Sequence, residues 1–332
     1  LARFRAEAAT DPEAARPQFA ALAGTDIFVI FVESYGRSAL DNPRYAPTIR
    51  RTLTEAQSDL AARGLAARSA FLTAPMVGGQ SWLAHGTLLS GLRLDTDARY
   101  RALLASPRKS LTHFAGEAGW TVVAVMPAIT LAWPEAAYFG YDRILAAADL
   151  GYRGRSFNWV TMPDQFTLAA FERLALARPR PPVFAEIALI SSHAPWTPIP
   201  PLLPWDALGD GHVFDAAAAA GDAPEIVWRD QDRVRDQYRQ ALAYSLATVA
   251  AFAGREAGDR ALIVVLGDHQ PAAFVSEDPD GREVPIHIIG APEVLERLDG
   301  WHWTAGLLPA AEAPVWPMEA FRDRFLGAFA RM

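Results

Sequence analysis

Five stretches of strand length, residues 27–32, 122–126, 183–190, 261–266 and 284–289, are apolar almost throughout, with little of the alternation a half-exposed strand would show. A strand with one face in water alternates apolar and polar residues, whereas a strand covered on both faces reads as a continuous apolar run. Between them lie segments with apolar residues at helical spacing: 47–63, 81–92, 110–118, 163–177 and a long one around 230–253. Strand and helix in alternation predict an α/β fold with a mostly parallel central sheet and helices on both faces.

With 332 residues, 51% of them hydrophobic, the chain can bury one large core. There is no internal repeat, and residues 25–332 read as one domain after a polar lead, 1–24. The rhythm breaks at 194–225, a proline-rich segment with an alanine run at 216–220. A long irregular stretch inside a compact domain is expected as a functional loop, here a lid over a site, or as a surface excursion. Residues 300–317 carry Trp301, Trp303 and Trp316 and are expected either to form a small subdomain or to close the core.

Ligands of open α/β sheets gather at the carboxyl ends of the strands, so polar residues that directly follow the apolar runs are the ones to collect. Three junctions stand out: Glu33-Ser34-Tyr35-Gly36, Ser191-Ser192-His193 and Gly267-Asp268-His269. If the sheet is parallel, these share one edge, and two carboxylates with two imidazoles supply an oxygen and nitrogen cage for a divalent ion. The chain has no cysteine, so neither a thiolate site nor a disulfide can exist. Each residue taken singly reads equally well as a helix cap or a satisfied polar group. Their coincidence at three strand ends favours a site.

A fourth element, Gly78-Gly79-Gln80-Ser81, precedes a helical pattern through His85 and Leu89. Glycines before a helix let backbone N–H groups converge on an anion. Ser81 is then placed as a nucleophile activated by metal, although taken alone it reads first as an N-cap. His85 shares its helix face and is expected to touch substrate or to pack. Trp82, Trp133, Trp196 and Trp205 are candidate platforms at the entrance, with Trp133 and Trp196 named as substrate contacts; core packing is the alternative. Arg37 reads as a surface ion pair or a phosphate ligand, and His287, inside an apolar run, as a core histidine. The net charge of -7 gives no basis for nucleic-acid binding.

In these residues the chain resembles the alkaline phosphatase superfamily, and within it the membrane-anchored branch of lipoteichoic acid synthases, phosphoglycerol transferases and phosphoethanolamine transferases. The resemblance rests on Val-Glu-Ser-Tyr-Gly at 32–36, the glycine-led Ser81, Ser-Ser-His-Ala-Pro-Trp at 191–196 and Leu-Gly-Asp-His-Gln-Pro at 266–271. It implies one divalent metal, Mn²⁺ first with Zn²⁺ or Mg²⁺ as alternatives, bound by Glu33, Ser81, Asp268 and His269, with His193 on the transferred phosphate.

The implied activity moves a phospho-alcohol head group, through a phosphoserine, from a phospholipid or lipid-linked donor to a lipid or glycan acceptor. The alternatives are a phosphodiesterase, phosphatase or sulfatase-like hydrolase using water, and a non-catalytic binding domain. The implied location is the extracytoplasmic, periplasmic face of a bacterial inner membrane. No apolar stretch has the roughly 20 residues of a span, and Leu1 with its polar lead suggests that an anchor precedes this segment.

Three departures are visible. Relatives usually carry threonine at the nucleophile; Glu135 stands where phosphoglycerol enzymes have an arginine after the tryptophan matched by Trp133; and the disulfides of phosphoethanolamine transferases have no counterpart. No Cys/Ser-x-Pro-x-Arg motif of the formylglycine sulfatases surrounds Ser81.

Overall fold

Strand β1 (Asp26–Val32) shows why the apolar runs are continuous: Phe28, Ile30 and Val32 enter one core, while Ile27, Val29 and Phe31 enter another on the opposite face. Successive side chains of a strand point to opposite faces, so a strand buried on both needs apolar residues at every position. The computed structural model describes residues 1–14, 18–256 and 261–330; residues 15–17 of the lead lie outside that range.

The remaining strands are β2 (Ala66–Thr73), β3 (Thr121–Met126), β4 (Arg143–Ala146), β5 (Val183–Leu189), β6 (Ala261–Gly267), β7 (Glu283–Gly290), β8 (Thr304–Ala305) and β9 (Val315–Pro317). They form one sheet in the order β4-β3-β5-β1-β6-β7-β2-β8, with β9 also on β2. The first five of that order are mutually parallel, and β7 runs antiparallel to both β6 and β2. Only a four-residue helix, Ala273–Ser276, lies in the link between β6 and β7, and the two strands pair antiparallel.

Helices of seven residues or more are α1 (Ala2–Ala8), α2 (Ala46–Ala62), α3 (Ser81–Ser90), α4 (Asp97–Leu104), α5 (Leu111–Glu117), α6 (Asp164–Ala175), α7 (Gln231–Glu256) and α8 (Phe321–Phe329). The faces of α2, α6 and α7 bury one side of the sheet, and α1, α3, α4, α5 and α8 the other. This is the expected architecture, with four strands the periodicity did not reveal: β2, interrupted by Arg68 and Ser69, and the short strands β4, β8 and β9.

The lead packs on the domain. Phe4, Ala8, Phe19 and Leu22 belong to the second core, and Asp11 receives two bonds from the fully buried Arg322, at 2.9 and 3.0 Å. Burial alone would raise the Asp11 carboxyl, but the Arg322 and Arg108 guanidiniums bring it below its usual value. The tryptophans of 300–317 close the core: Trp303 and Trp316 lie 5.0 Å apart beneath β8 and β9, which extend the sheet beyond β2. The segment 194–225, expected as a lid or a surface excursion, sends Leu208 and Phe214 into the first core and is clamped to α6 by Gln165, which bonds both N and O of Leu203.

His287 is a core histidine. Its two ring nitrogens meet the Tyr35 hydroxyl at 3.0 Å and the Ser69 hydroxyl at 2.7 Å, and burial lowers its pKa from 6.5 to about 3. The unfolded chain takes up this proton below pH 6.5 and the folded chain does not. The associated stability is therefore complete above pH 6.5 and is lost as the pH falls toward 3, by up to ~1.4 kcal/mol per pH unit. Urea unfolding of wild type and His287→Gln should give a stability difference that shrinks on acidification. A difference independent of pH would show that His287 is protonated in the native state.

Candidate active site

The three junctions stand side by side because β5, β1 and β6 are neighbours, with Val32 in register with both Leu189 and Gly267. The chain must then turn tightly. Any side chain at Gly267 would sit 1.8 Å from the Tyr35 carbonyl oxygen, so only glycine permits this approach. Ser34 holds the left-handed conformation with φ of 57°, a cost met where neighbours over-determine the backbone. Those neighbours are the Asp268 carboxylate, accepting from Ser34 N–H at 2.9 Å; the Tyr238 hydroxyl, donating to Ser34 O at 2.8 Å; and the Ser192 hydroxyl, donating to Glu33 O at 2.6 Å. At the end of β5 the buried Asp164 accepts from Ile190 N–H and Ser191 N–H, both at 2.8 Å, and from the Ser245 hydroxyl at 2.6 Å.

This framework converges Glu33, Asp268 and His269, each buried, so that one donor atom from each lies within 4.8 Å of the others. His269 Nε2 is 3.2 Å from Glu33 Oε1 and 3.6 Å from Asp268 Oδ2. Its Nδ1 bonds the Gln270 carbonyl oxygen at 2.7 Å, and because a carbonyl only accepts, Nδ1 carries a proton and Nε2 is turned toward the cluster. That is the orientation in which imidazoles ligate metals.

The electrostatics agree. Burial and the neighbouring Glu33 charge raise Asp268 to about 6. Burial would lower His269, but the Asp268 and Glu33 carboxylates outweigh it and raise it to about 10. Burial would likewise raise Glu33, yet His269 holds it well below the usual carboxylate range. Two buried carboxylates thus retain a proton on the imidazole for want of another positive charge. The oxygen and nitrogen donor set fits a divalent cation in that position.

Ser81 sits directly on this cluster, its Oγ 3.2 Å from Glu33 Oε2 and 3.3 Å from His269 Nε2. It is the first residue of α3, and the capping position belongs to Gln80, held left-handed with φ of 56°. Ser81 is therefore not the N-cap; its hydroxyl is free of the helix and faces the carboxylates. The N-terminal amides of α3 lie around it, an environment suited to an anion.

A cleft of about 380 Å³ opens here, lined by Glu33, Ser81, Asp268 and His269 together with His85, His193, Trp82, Trp133 and Trp159. Among the described residues no lysine or arginine lines it. His193 bonds the Ala194 carbonyl through Nδ1 at 2.5 Å, and its ring stacks on Trp159 at 3.8 Å, two constraints that fix its plane. His85 bonds Glu186 through Nδ1 at 2.8 Å.

Trp196 does not reach the cleft. It is buried, donates to Ser192 O at 2.6 Å, and packs against Trp228 and Tyr238, so it supports the strand end from beneath. Trp205 packs on Phe252 and Arg255 elsewhere. Trp159, half exposed and stacked on His193, takes the wall position; it lies in an aperiodic loop and gave no sequence signal. No residue of 194–225 lines the cleft. Arg37 is engaged by Asp41, Glu283 and the Ala311 carbonyl, away from the cluster.

No protein-family profile matches this sequence, and no curated protein does. Solved structures do. The phosphoglycerol transferase GacH of Streptococcus pyogenes, in complex with sn-glycerol-1-phosphate, superposes with a TM-score of 0.60 at 12% identity, over 99% of this chain and 80% of that one. The periplasmic domain of the phosphoethanolamine transferase EptC from Campylobacter jejuni gives 0.56 at 10%, over 92% and 89%. A protein of the alkaline phosphatase superfamily from Vibrio parahaemolyticus gives 0.52 at 15%, over 87% and 67%. The chain has the alkaline-phosphatase-like fold. Its candidate cluster lies at the carboxyl edge of that fold's central sheet.

A cation entering the cluster must displace the retained proton, so binding should release protons and tighten as the pH rises from about 6. Calorimetric titration with Mn²⁺ and with Zn²⁺, in buffers of different ionisation enthalpy, measures both effects. Glu33→Gln and Asp268→Asn should each weaken binding by about ten-fold or more. If neither ion binds, or binding is indifferent to pH, the cluster is not a metal centre.

Proposed function

We propose that this protein is a metal-dependent enzyme of phosphate-ester chemistry in which Ser81 is transiently phosphorylated, transferring a phospho-alcohol head group from a lipid donor to an alcohol acceptor. The observation that carries this reading is the position of Ser81 Oγ, within 3.3 Å of both Glu33 and His269. A divalent cation held by Glu33, Asp268 and His269 would lower the pKa of the Ser81 hydroxyl and offset charge on the phosphoryl oxygens. Mn²⁺ is the ion we favour.

Ser81 Oγ, its proton given up to solvent, attacks phosphorus as the bond to the donor alcohol breaks, with the attacking and leaving oxygens in line. The α3 amides hold a non-bridging oxygen. His193 lines the same cleft, and its Nδ1 bond to Ala194 O leaves Nε2 facing the substrate, where as an imidazolium it would donate to a phosphoryl oxygen or hand its Nε2 proton to the leaving alcohol. In the second half an acceptor alcohol attacks the phosphoserine, the Ser81 Oγ–P bond breaks, and the acceptor's proton leaves through the group that served the first step.

The fold shared with phosphoglycerol and phosphoethanolamine transferases supports this substrate class. So does the lining of the cleft. A phosphodiester carries one negative charge and needs less compensation than a monoester, and among the described residues no guanidinium or ammonium group lines the cleft to compensate more. Action at the extracytoplasmic face of a bacterial membrane, with anchorage outside this segment, accords with the periplasmic EptC domain; among the described residues no helix is long and apolar enough to cross a membrane.

Turnover of a 4-nitrophenyl phosphodiester should be lost with chelator and fall on the order of 10³-fold in Ser81→Ala. Intact-mass measurement of donor-treated wild type should show an adduct on Ser81, discharged faster by an added alcohol if transfer, and not hydrolysis, is the activity. Wild-type turnover by Ser81→Ala would remove the serine from the mechanism.

A further inference from the structure

Glu186 lies in the middle of β5, in register with Val29 of β1 and Ala124 of β3, where both faces of the sheet are covered. Its side chain is only 2% exposed and shares the α3 side of the sheet with Phe184. A carboxylate at such a position is costly unless its oxygens are satisfied, and here both are. Oε1 meets His85 Nδ1 at 2.8 Å, and Oε2 accepts from the Tyr141 hydroxyl. Burial, and then the Glu186 charge, raise Tyr141 well above the usual phenol value, so this hydroxyl stays a donor.

With both carboxylate oxygens accepting, a His85 proton belongs on Nδ1, and in the neutral imidazole the Nε2 lone pair is free. Nothing among the described residues bonds Nε2, and His85 lines the cleft on the same helix face as Ser81, one turn away. The ring is further fixed by stacking on Phe31, with centroids 3.8 Å apart and planes at 10°. Tyr141 in turn packs on Trp133 at 5.8 Å, so the support runs into the aromatic wall of the cleft. A free acceptor held this firmly beside a candidate nucleophile is the arrangement expected where a substrate donor must be read.

We infer that Glu186 and Tyr141 are positioning residues that aim His85 Nε2 at a hydroxyl or amine on the head group esterified to the phosphate, selecting donor-bearing, neutral or cationic head groups. Anionic head groups are disfavoured because Glu186 lines the cleft beside His85 and, among the described residues, no lysine or arginine does. Apolar head groups would leave Nε2 desolvated and unpaired. The inference rests on the reading of Ser81 as nucleophile and adds the class of group delivered to it.

The test is kcat/KM for four 4-nitrophenyl phosphodiesters whose second ester is 2-aminoethyl, 2,3-dihydroxypropyl, propyl or 2-carboxyethyl. Wild type should favour the first two over propyl by about ten-fold or more, with carboxyethyl poorest. In Glu186→Gln, and in His85→Phe, which retains a ring against Phe31, that preference should collapse toward unity through loss on the donor-bearing esters. Tyr141→Phe should reduce it partially.

A structural role alone would lower the melting temperature and scale all four substrates together, and an unchanged ratio in folded variants overturns the inference. If Glu186→Gln does not fold, the ratio in His85→Phe decides. Ser81-dependent turnover without any wild-type preference refutes the head-group assignment and leaves the functional reading standing. A wild type inert toward all four and unlabelled at Ser81 refutes both.

Discussion

One buried carboxylate oxygen holds the site together. Asp268 Oδ1 accepts from the backbone N–H of Ser34 at 2.9 Å and of His269 at 2.7 Å, tying the end of β1 to the end of β6. Gly267, with no room for a side chain beneath Tyr35 O, lets the two chain turns meet. The same carboxylate then presents Oδ2 to the cluster, 3.6 Å from His269 Nε2. Structural and chemical roles thus fall on the two oxygens of one residue. Loss of Oδ1 would loosen the turn, whereas an amide in place of the carboxylate could keep that acceptor and give up only the charge that Oδ2 brings to the cluster.

How far the sequence discloses this arrangement follows from what each residue has to satisfy. The continuous apolar runs report strands covered twice, and the neighbouring order β5-β1-β6 makes the polar residues after them converge. Glu33, Asp268, His269 and His193 are legible for that reason. β2 is not, because its edge-side neighbours β8 and β9 are short and its residues Arg68 and Ser69 break the pattern; Ser69 is there to bond His287 and Gly306 O. The antiparallel direction of β7 is invisible to periodicity, because a strand covered on both faces reads as the same apolar run whichever way it points. Trp196 and Trp159 show the limit for aromatics: a flat ring serves a core or a cleft equally, and only the path of the loop decides between them.

Glu186 is the instructive miss. It stands as the one charged residue within an apolar run at 183–190, and such an exception is itself a signal of a paired or working carboxylate. Collecting only strand-end residues passes over it, because its side chain reaches the cleft from the face of the sheet and not from its edge. The site therefore has two supports. Strand ends supply the charged cluster, and the α3 face of the sheet supplies His85 with its carboxylate and tyrosine.

These supports differ in electrical character, and that sets the order of events at the site. Glu33 and Asp268 repel an anion, so a phosphodiester meets a favourable field only once a cation offsets them, leaving the α3 amides to act on the phosphoryl oxygens. Cation and phosphate affinities must then rise together, since coupling between two ligands is reciprocal. His85 stands outside this exchange. Its partner Glu186 is already satisfied by two donors, so on the proposed reading the imidazole would meet the neutral or cationic end of a substrate by hydrogen bonding while the cluster acts on the phosphate by charge. Separating the two tasks lets the head group be selected without altering the electrostatics at Ser81.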